Sequence, residues 1–437
     1  MKSPNIFKES FKEDFLHHIW KFQYFNKQDI RTRQEEAVCV LFPGHPNSDA
    51  GPDFKEAKII VGGIEWHGHV EMHYKSLEWN AHRHTTDPAY NNVILHVVWE
   101  YNGASLRSDG SEVPVIELKG RVDQSLIETY RSLVKSTLSI PCAPFVKQMD
   151  TIHIFSMLER TLVERMEAKS KEILQIYQAT KNDWEETAYR WLGKCYGFKV
   201  NSDAFLKLCE VLPFALLKRY RPNPLQFEAL LFGCAGFLEA GSKETYPQSL
   251  RKEFHYLVQK HASLRTLMLS EWKFLRLRPA NFPTLRIAQF SAFLQSTPYV
   301  FDSIFHSPSI QAFADQCAQP TSPFWQDHYH FGAPAAKKRN STQLGKSSAE
   351  NLLLNALLPL RFAYADFNGL WELKDKTIEA FRSLKAEENA ILHLFHEVSF
   401  PLASAYEGQA LLQLHHQYCK RKRCLDCHIG AHILYPL

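Results

Sequence analysis

The sequence predicts an α+β protein, with a mixed sheet in residues 1–140 and a large all-helical region in residues 141–437. Three observations lead to this fold class. Short strand-like segments alternate with turn residues between about 36 and 120, apolar residues recur at helical spacing after Arg121, and 437 residues exceed one ordinary hydrophobic core. We therefore expect two domains that meet near residue 140.

The predicted sheet follows an amphipathic helix within residues 11–25. Its strands are rich in β-branched and aliphatic residues, and glycine, proline, asparagine and aspartate mark the turns between them. The predicted strands cover residues 37–41, 57–61, 66–75, 93–98 and 113–118. Few helical segments separate these strands, which favours a mixed sheet over a regular alternation of strands and helices.

The helical region begins with a long amphipathic helix in which Ile152, Phe155, Leu158 and Leu162 recur at steps of three and four. Prolines, among them Pro224 and Pro283, are expected to break the region into separate helices. Further helices are predicted at 186–196, 203–211, 225–239, 284–295, 350–363, 388–397 and 405–418.

Composition limits the classes of function. The chain is 45% hydrophobic and 22% charged, as in soluble globular proteins. It contains no uncharged apolar stretch of about 18 residues and no apolar signal core, so we expect a cytoplasmic protein without a membrane partner. The net charge of +4 permits a nucleic-acid partner without requiring one, and the oligomeric state stays open.

The strand at 66–75 is the most informative segment, because its polar and apolar residues alternate strictly. Side chains of a strand point to opposite faces in turn, so His67, His69, Glu71, His73 and Lys75 share one face. Imidazoles and carboxylates are metal ligands and proton carriers at neutral pH. The strand therefore predicts a metal-assisted active site, although a polar sheet face that binds nothing is the plain alternative.

A second carboxylate lies shortly upstream, at Asp53 in the turn before the strand at 57–61. Two carboxylates at the junction of adjacent strands can bind a hard cation such as Mg²⁺ or Mn²⁺. Asp53 and Glu71 are the expected ligands, while His73 and Lys75 would position or activate the attacking water.

The pattern Pro52-Asp53, then a strand, then Glu71-X-His73 resembles the signature of the PD-(D/E)XK restriction-endonuclease-like nucleases. The order of helix, strand, strand pair with the acids, helix and strand also resembles that core. The resemblance implies a metal-dependent nuclease acting on nucleic acid. In this hypothesis we expect His82, Arg83 and His84 to bind the substrate, with His82 and His84 contacting phosphate or metal. The chain departs from the signature at His73, where the superfamily has lysine.

Two other functions fit the same residues. His73, His82, His84 and Glu71 offer the nitrogen and oxygen ligands of a zinc or iron enzyme that acts on a small molecule. A non-catalytic nucleic-acid-binding scaffold with a structural metal is the third possibility. His96 lies inside an apolar strand and is interpreted as a hydrogen-bonded core histidine.

The C-terminal segment carries three cysteines within nine residues, Cys419, Cys424 and Cys427, a spacing typical of metal sites. Cys142, in a proline-flanked turn, is the expected fourth ligand. One distant cysteine and a tight terminal group resemble the iron–sulfur staple of some DNA-end-processing nucleases. Zinc and an iron–sulfur cluster both stay open for this site.

Several stretches taken together are similar to an uncharacterised bacterial family, a domain of unknown function that spans almost the whole chain. They include Asp49–Phe54, Gly68–His73, His82–His84 and the cysteine-containing tail. The resemblance implies a shared design and no particular reaction.

Overall fold

The N-terminal part of the chain forms a six-stranded mixed sheet and the rest is mainly helical, which confirms the α+β class. The structure, a computed structural model, describes residues 13–239, 242–305, 310–335 and 337–435. The strands of the sheet are β1 (Val38–Phe42), β2 (His45–Pro46), β3 (Phe54–Val61), β4 (Ile64–Lys75), β5 (Val93–Glu100) and β6 (Val115–Glu117).

The strand order is β1-β3-β4-β5-β6, with the short β2 beside β3. β1, β3 and β4 pair antiparallel, whereas β4, β5 and β6 run parallel. Gly62 and Gly63 connect β3 to β4 with φ angles of 57° and 84°, the left-handed conformation that a two-residue hairpin of matching twist requires. This tight turn places the start of β3, and therefore Asp53, beside the middle of β4.

β5 lies in the middle of the parallel part of the sheet, and Val93–Trp99 are all buried. Burial on both faces explains its nearly continuous apolar sequence. At the neighbouring position of β4, Gly68 leaves no room for a side chain: a Cβ there would lie 2.5 Å from the carbonyl oxygen of Asn92. The loop before β5 thus passes close to β4 at the residue next to His69.

Three helices belong to this part of the chain: α1 (Glu13–Phe22), α2 (Glu78–Ala81) and α3 (Gln124–Lys135). α1 packs against β4 through a fully buried apolar face that includes Phe15, Ile19 and Trp20. The Trp20 indole Nε1 donates a hydrogen bond to the Pro43 carbonyl at 3.0 Å. This packing fixes the side of α1 that carries His17.

The long region that follows contains fourteen helices within the described residues. They are α4 (Thr151–Ala179), α5 (Trp184–Tyr196), α6 (Phe198–Val211), α7 (Phe214–Lys218), α8 (Pro224–Cys234), α9 (Thr245–Lys260), α10 (Pro283–Ser296), α11 (Val300–Phe305), α12 (Ile310–Cys317), α13 (Lys346–Leu352), α14 (Leu358–Phe367), α15 (Trp371–Ser383), α16 (Ala390–Glu397) and α17 (Ala405–Leu414). The region is not all-helical as predicted, because β7 (His328–His330) and β8 (Ala333–Pro334) form a small antiparallel hairpin. Aromatic packing of Phe324 on the His328 ring, with centroids 4.0 Å apart, supports this hairpin.

The chain ends in α18 (His428–Leu434), and its described residues separate into two compact units. The first runs to Met157 and includes Val398–Phe400 and the C-terminal segment from Leu414, so it holds the sheet and the cysteine-rich tail. The second consists of Leu158–Glu397 and Pro401–Gln413. The domain boundary near residue 140 stays a prediction. Within the described ranges, none of the helices combines the length and apolar character needed to cross a membrane.

Candidate metal centre

The two carboxylates singled out in the sequence lie side by side, each held by the backbone of the other's strand. The Asp53 N–H donates to Glu71 Oε2 at 3.2 Å, and the Met72 N–H donates to Asp53 Oδ2 at 2.9 Å. Glu71 is only 5% exposed. Burial raises the pKa of Glu71, and the nearby charge of Asp53 raises it further. A cation bound beside Glu71 would stabilise its charged form and so offset both the burial and the charge of Asp53.

Three histidines converge beside Glu71. One nitrogen from each of His73, His82 and His84 lies within 4.8 Å of the other two, so that these atoms can share one metal ion. His73 comes from β4, while His82 and His84 come from the turn after α2. Arg83 between them adopts a left-handed conformation, with φ of 64°, and this reversal accompanies the return of His84 to the buried side.

Glu71 completes the group with its second oxygen. Glu71 Oε1 lies 3.2 Å from His84 Nε2 and 3.6 Å from His73 Nε2. His84 Nε2 is buried and makes no well-aligned hydrogen bond among the described residues; it faces the Glu71 carboxylate instead. Because buried polar atoms usually have a well-placed partner, a metal ion between this nitrogen and the carboxylate would fit the site.

A buried chain of hydrogen bonds fixes the orientation of His73. The Ser105 hydroxyl donates to the Ser76 carbonyl at 3.4 Å, so it accepts from His96 Nδ1, 2.7 Å away. His96 Nε2 then accepts from His73 Nδ1 at 2.8 Å. This hydrogen-bond pattern assigns the proton of His73 to Nδ1 and leaves a lone pair on Nε2, which faces His82 and Glu71. Such an outer partner is typical of metal-bound histidines.

His73 and His96, the two histidines of this hydrogen-bonded series, are neutral at physiological pH. Burial and then the positive charges that neighbouring histidines can carry lower the pKa of His73 to about 2 and that of His96 to about 3. A neutral imidazole has the lone pair that a metal ligand needs, whereas a protonated one does not. The burial of His73 therefore favours ligation over a role as a cation.

On the other side of Asp53, α1 contributes a histidine. His17 Nε2 lies 3.3 Å from Asp53 Oδ2, and both side chains are partly exposed. Burial opposes the charge of His17, but the attraction of Asp53 outweighs it and raises the pKa of His17. Glu13, one turn earlier on α1, is near enough to add to this attraction.

Aromatic rings form the wall behind the histidines. Tyr90 stacks on His84 with ring centroids 3.7 Å apart. Trp79 is fully buried between His84 and His96, with centroid distances of 5.4 and 5.3 Å, and its indole Nε1 donates to the Leu106 carbonyl at 2.9 Å. This packing limits the freedom of His84 and His96, so the ligand set is held in place before any metal binds.

The predicted site residues thus fall into two groups. Asp53, Glu71, His73, His82 and His84 come together, with His82 on the exposed side. The side chains of Lys75 and Arg83 are exposed, and the Lys75 N–H donates to Glu78 Oε2 at 3.0 Å.

Two histidines of the alternating strand point elsewhere. His67 pairs with Glu65 at 2.9 Å, and His69 Nδ1 accepts from the Glu56 N–H at 3.3 Å. The pairing of β4 with β5 shifts register between His69 and Val70, where β5 has one extra residue, Ile94.

Sequence reasoning overlooked His17 and Ser105, and it interpreted His96 as an ordinary core residue. His96 is indeed hydrogen-bonded in the core, but its partner is the ligand His73. A histidine inside the otherwise apolar strand Val93–Val98 was the available signal. Its partner depends on the parallel pairing of β4 with β5, in which Glu71 lies opposite His96.

The four cysteines named in the sequence also lie in one unit. Cys142, Cys419, Cys424 and Cys427 all have free thiols and are each at most 8% exposed. Their thiols do not form a group as tight as the three histidines, because no three of them among the described residues lie within 4.8 Å of one another.

Comparison with known families places the chain in the family described as Protein of unknown function (DUF2851), which matches residues 13–390. The chain belongs to this family. The match includes every residue of the candidate metal centre and ends before Cys419. Comparisons with curated proteins and with solved structures find no match.

Proposed function

We propose that the protein is a divalent-metal-dependent hydrolase that cleaves phosphodiester bonds of nucleic acid. The observation that carries the proposal is the convergence of His73, His82 and His84 beside Glu71, with the buried Nε2 of His84 facing Glu71 Oε1 at 3.2 Å. The adjoining pair of Asp53 and His17 supplies groups that can hold and transfer a proton.

The donor set favours a transition metal over Mg²⁺. Mg²⁺ prefers oxygen ligands in an octahedral arrangement, whereas imidazole nitrogens suit Mn²⁺, Fe²⁺ and Zn²⁺. The residues that would hold the ion are His73, His82, His84 and Glu71 Oε1. Such an ion supplies Lewis acidity, which neutralises phosphate charge and lowers the pKa of water.

Other residues of the site donate a proton, contact phosphates or position a ligand. Asp53 holds His17 in its protonated form, and His17 donates that proton to the leaving oxygen of the phosphodiester. The exposed cations of Lys75 and Arg83 contact phosphates of the substrate. Ser105 and His96 act only as positioning residues for His73.

Nucleic acid is the proposed substrate because the acids follow the spacing of the restriction-endonuclease-like nucleases. Asp53 precedes β3 and Glu71 lies in the adjacent antiparallel β4, which is followed by a parallel strand. A restriction-endonuclease-like fold is part of this proposal. His73 replaces the lysine of that signature, and since its pKa is lowered it serves as a ligand rather than as a cation.

A zinc or iron enzyme acting on a small molecule is the second candidate. Three imidazoles with one carboxylate are typical ligands of transition-metal enzymes of many reaction classes. This candidate predicts stoichiometric metal at the same four residues and no cleavage of nucleic acid.

Cleavage of labelled single-stranded, duplex and branched DNA, and of RNA, in the presence of Mn²⁺ tests the proposal. Wild type is compared with Glu71→Gln and with Glu65→Gln, a matched control on the same strand whose exposed side chain pairs with His67 outside the site. We expect cleavage by wild type and Glu65→Gln and none by Glu71→Gln, with thermal unfolding showing that all three are folded.

Three results contradict the proposal. Equal cleavage by wild type and Glu71→Gln would place the activity elsewhere, in a contaminant or in another part of the chain. Absence of cleavage by a wild-type protein that binds Mn²⁺ would favour the small-molecule enzyme. Binding of nucleic acid that is salt-dependent and unchanged in Glu71→Gln, without cleavage, would indicate a scaffold.

A further inference from the structure

Four free, buried cysteines from distant parts of the chain lie in the first unit. Cys142 immediately precedes the 3₁₀ segment Ala143–Gln148, and Cys419 is the last residue of the π-helical segment His415–Cys419. Cys424 follows, and Cys427 precedes α18. All four are at least nine-tenths buried.

Direct contacts hold the tail segment on the turn that contains Cys142. Lys422, between Cys419 and Cys424, donates through Nζ to the Ser136 carbonyl at 2.6 Å. α18 packs tightly on the cysteine loop, since a Cβ added to Gly430 would lie 2.1 Å from the Cys424 carbonyl oxygen. The loop therefore has little freedom to move away from residues 136–142.

The thiols are close enough to interact electrostatically. Burial raises the pKa of Cys142, and Cys427 and Cys424 raise it further. Burial raises the pKa of Cys419 too, and Cys142, Cys427 and Cys424 each add to this effect. Four buried thiols that share one environment from segments almost 300 residues apart are not needed for packing, where ordinary apolar side chains would serve.

The spacing within the tail distinguishes between two kinds of metal site. Cys419, Cys424 and Cys427 form a C-x4-C-x2-C sequence with a fourth cysteine elsewhere, which is the ligand spacing of plant-type iron–sulfur proteins. Structural zinc sites are more often built from pairs of closely spaced cysteines.

We propose that Cys142, Cys419, Cys424 and Cys427 bind an iron–sulfur cluster that fastens the C-terminal segment to the turn at 136–142. The four thiols lose their protons when the cluster assembles from iron and inorganic sulfide, and they bind the irons as thiolates. Four consecutive basic residues, Lys420–Arg423, lie beside the site and offset the negative charge of a thiolate-bound cluster.

The test is the iron, acid-labile sulfide and zinc content of the full-length protein purified without oxygen, together with its visible absorption. Cys142→Ser is compared with Cys39→Ser, an exposed free cysteine, and with Cys317→Ser, a buried cysteine of the second unit. We expect iron and sulfide in equal amounts in wild type and in both controls, and at least a tenfold loss of both in Cys142→Ser.

Other results would overturn the assignment. One zinc per chain without sulfide, lost in Cys142→Ser, would replace the cluster by a zinc site. Absence of iron even after reconstitution with Fe²⁺ and sulfide, or full iron content in Cys142→Ser, would remove the four-cysteine site. These readouts do not depend on cleavage activity, so they stand apart from the test of the proposed hydrolase.

Discussion

Removing the Ser105 hydroxyl is expected to weaken metal binding, although Ser105 touches none of the four ligands. In wild type the hydroxyl accepts a hydrogen bond from His96 Nδ1–H. His96 Nε2 therefore accepts from His73 Nδ1–H, which leaves the lone pair of His73 Nε2 free toward the metal position. In Ser105→Ala, His96 Nδ1 has lost its partner. His96 then carries its proton on Nε2 and donates a hydrogen bond to His73 Nδ1. His73 must in turn carry its own proton on its Nε2, and this proton occupies the lone pair that would bind the metal.

The size of the effect follows from the position of Ser105 behind the ligands. Mutation of such outer partners costs about 10- to 100-fold in metal affinity. This factor corresponds to about 1.4 to 2.7 kcal/mol, because each tenfold change is about 1.4 kcal/mol. Stability of the metal-free protein should fall by about 1 to 3 kcal/mol, because the buried Nδ1 of His96 loses its hydrogen-bond partner.

Titration of the full-length protein with Mn²⁺, with free Mn²⁺ measured by electron paramagnetic resonance, gives the affinity. Ser76→Ala is the matched control, because the Ser76 hydroxyl accepts from the backbone N–H groups of Asn102 and Gly103 while the carbonyl that Ser105 contacts is unchanged. We expect Ser76→Ala to lose stability and to keep its affinity for Mn²⁺. An affinity of Ser105→Ala within twofold of wild type, alongside lost binding in His84→Ala, would refute the role of this hydrogen-bond chain.

Three further predictions concern pH, the backbone and surface charge. Burial, with a contribution from Lys21, lowers the pKa of His18 to about 4. Unfolding therefore takes up a proton below pH 6.5, and stability is lost by about 1.4 kcal/mol per pH unit as the pH falls from 6.5 toward 4. Urea denaturation measures the free energy of unfolding, and the value for His18→Phe relative to wild type should be higher at pH 5 than at pH 7.5. An equal difference between variant and wild type at both pH values would contradict the lowered pKa. Gly68→Ala should lower the melting temperature, because its Cβ would meet the Asn92 carbonyl, and an unchanged value would show that the loop can move. Arg83→Gly should relieve a left-handed backbone worth about 1 kcal/mol and yet weaken DNA binding, whereas unchanged binding would exclude a substrate contact.

The polar alternation of β4 was enough to locate the candidate site. Glu71 and His73 are the polar residues of that strand that are buried. The His-X-His segment at 82–84 was correctly associated with them. Periodicity could not show that His69 accepts from the Glu56 N–H outside the site, because that contact depends on the pairing of β3 with β4.

Long-range contacts explain the residues that were overlooked. His17 reaches Asp53 only because α1 packs across β4, and no local pattern encodes that packing. The contact of His96 with His73 needs the parallel register of β4 and β5. Sequence spacing restricts neighbours within one element, whereas these pairs are set by tertiary packing.

Prolines separate helices as expected. Pro224 and Pro283 each occupy the first position of a helix, where the missing N–H has no role in the helix. α9 and α15 were not predicted, and both carry many charged residues around a narrow apolar stripe that includes Leu250, Phe254 and Phe381.

The coordination of Mn²⁺ in the full-length protein tests the central claim most directly. Mn²⁺ has little preference for thiolates, so it should occupy the histidine site and leave the cysteines free. X-ray absorption at the manganese edge, with one equivalent bound, should show the scattering of imidazole rings together with oxygen ligands, and His84→Ala should reduce the imidazole contribution. An all-oxygen shell around the ion, unchanged in His84→Ala, would contradict a metal centre built from His73, His82, His84 and Glu71.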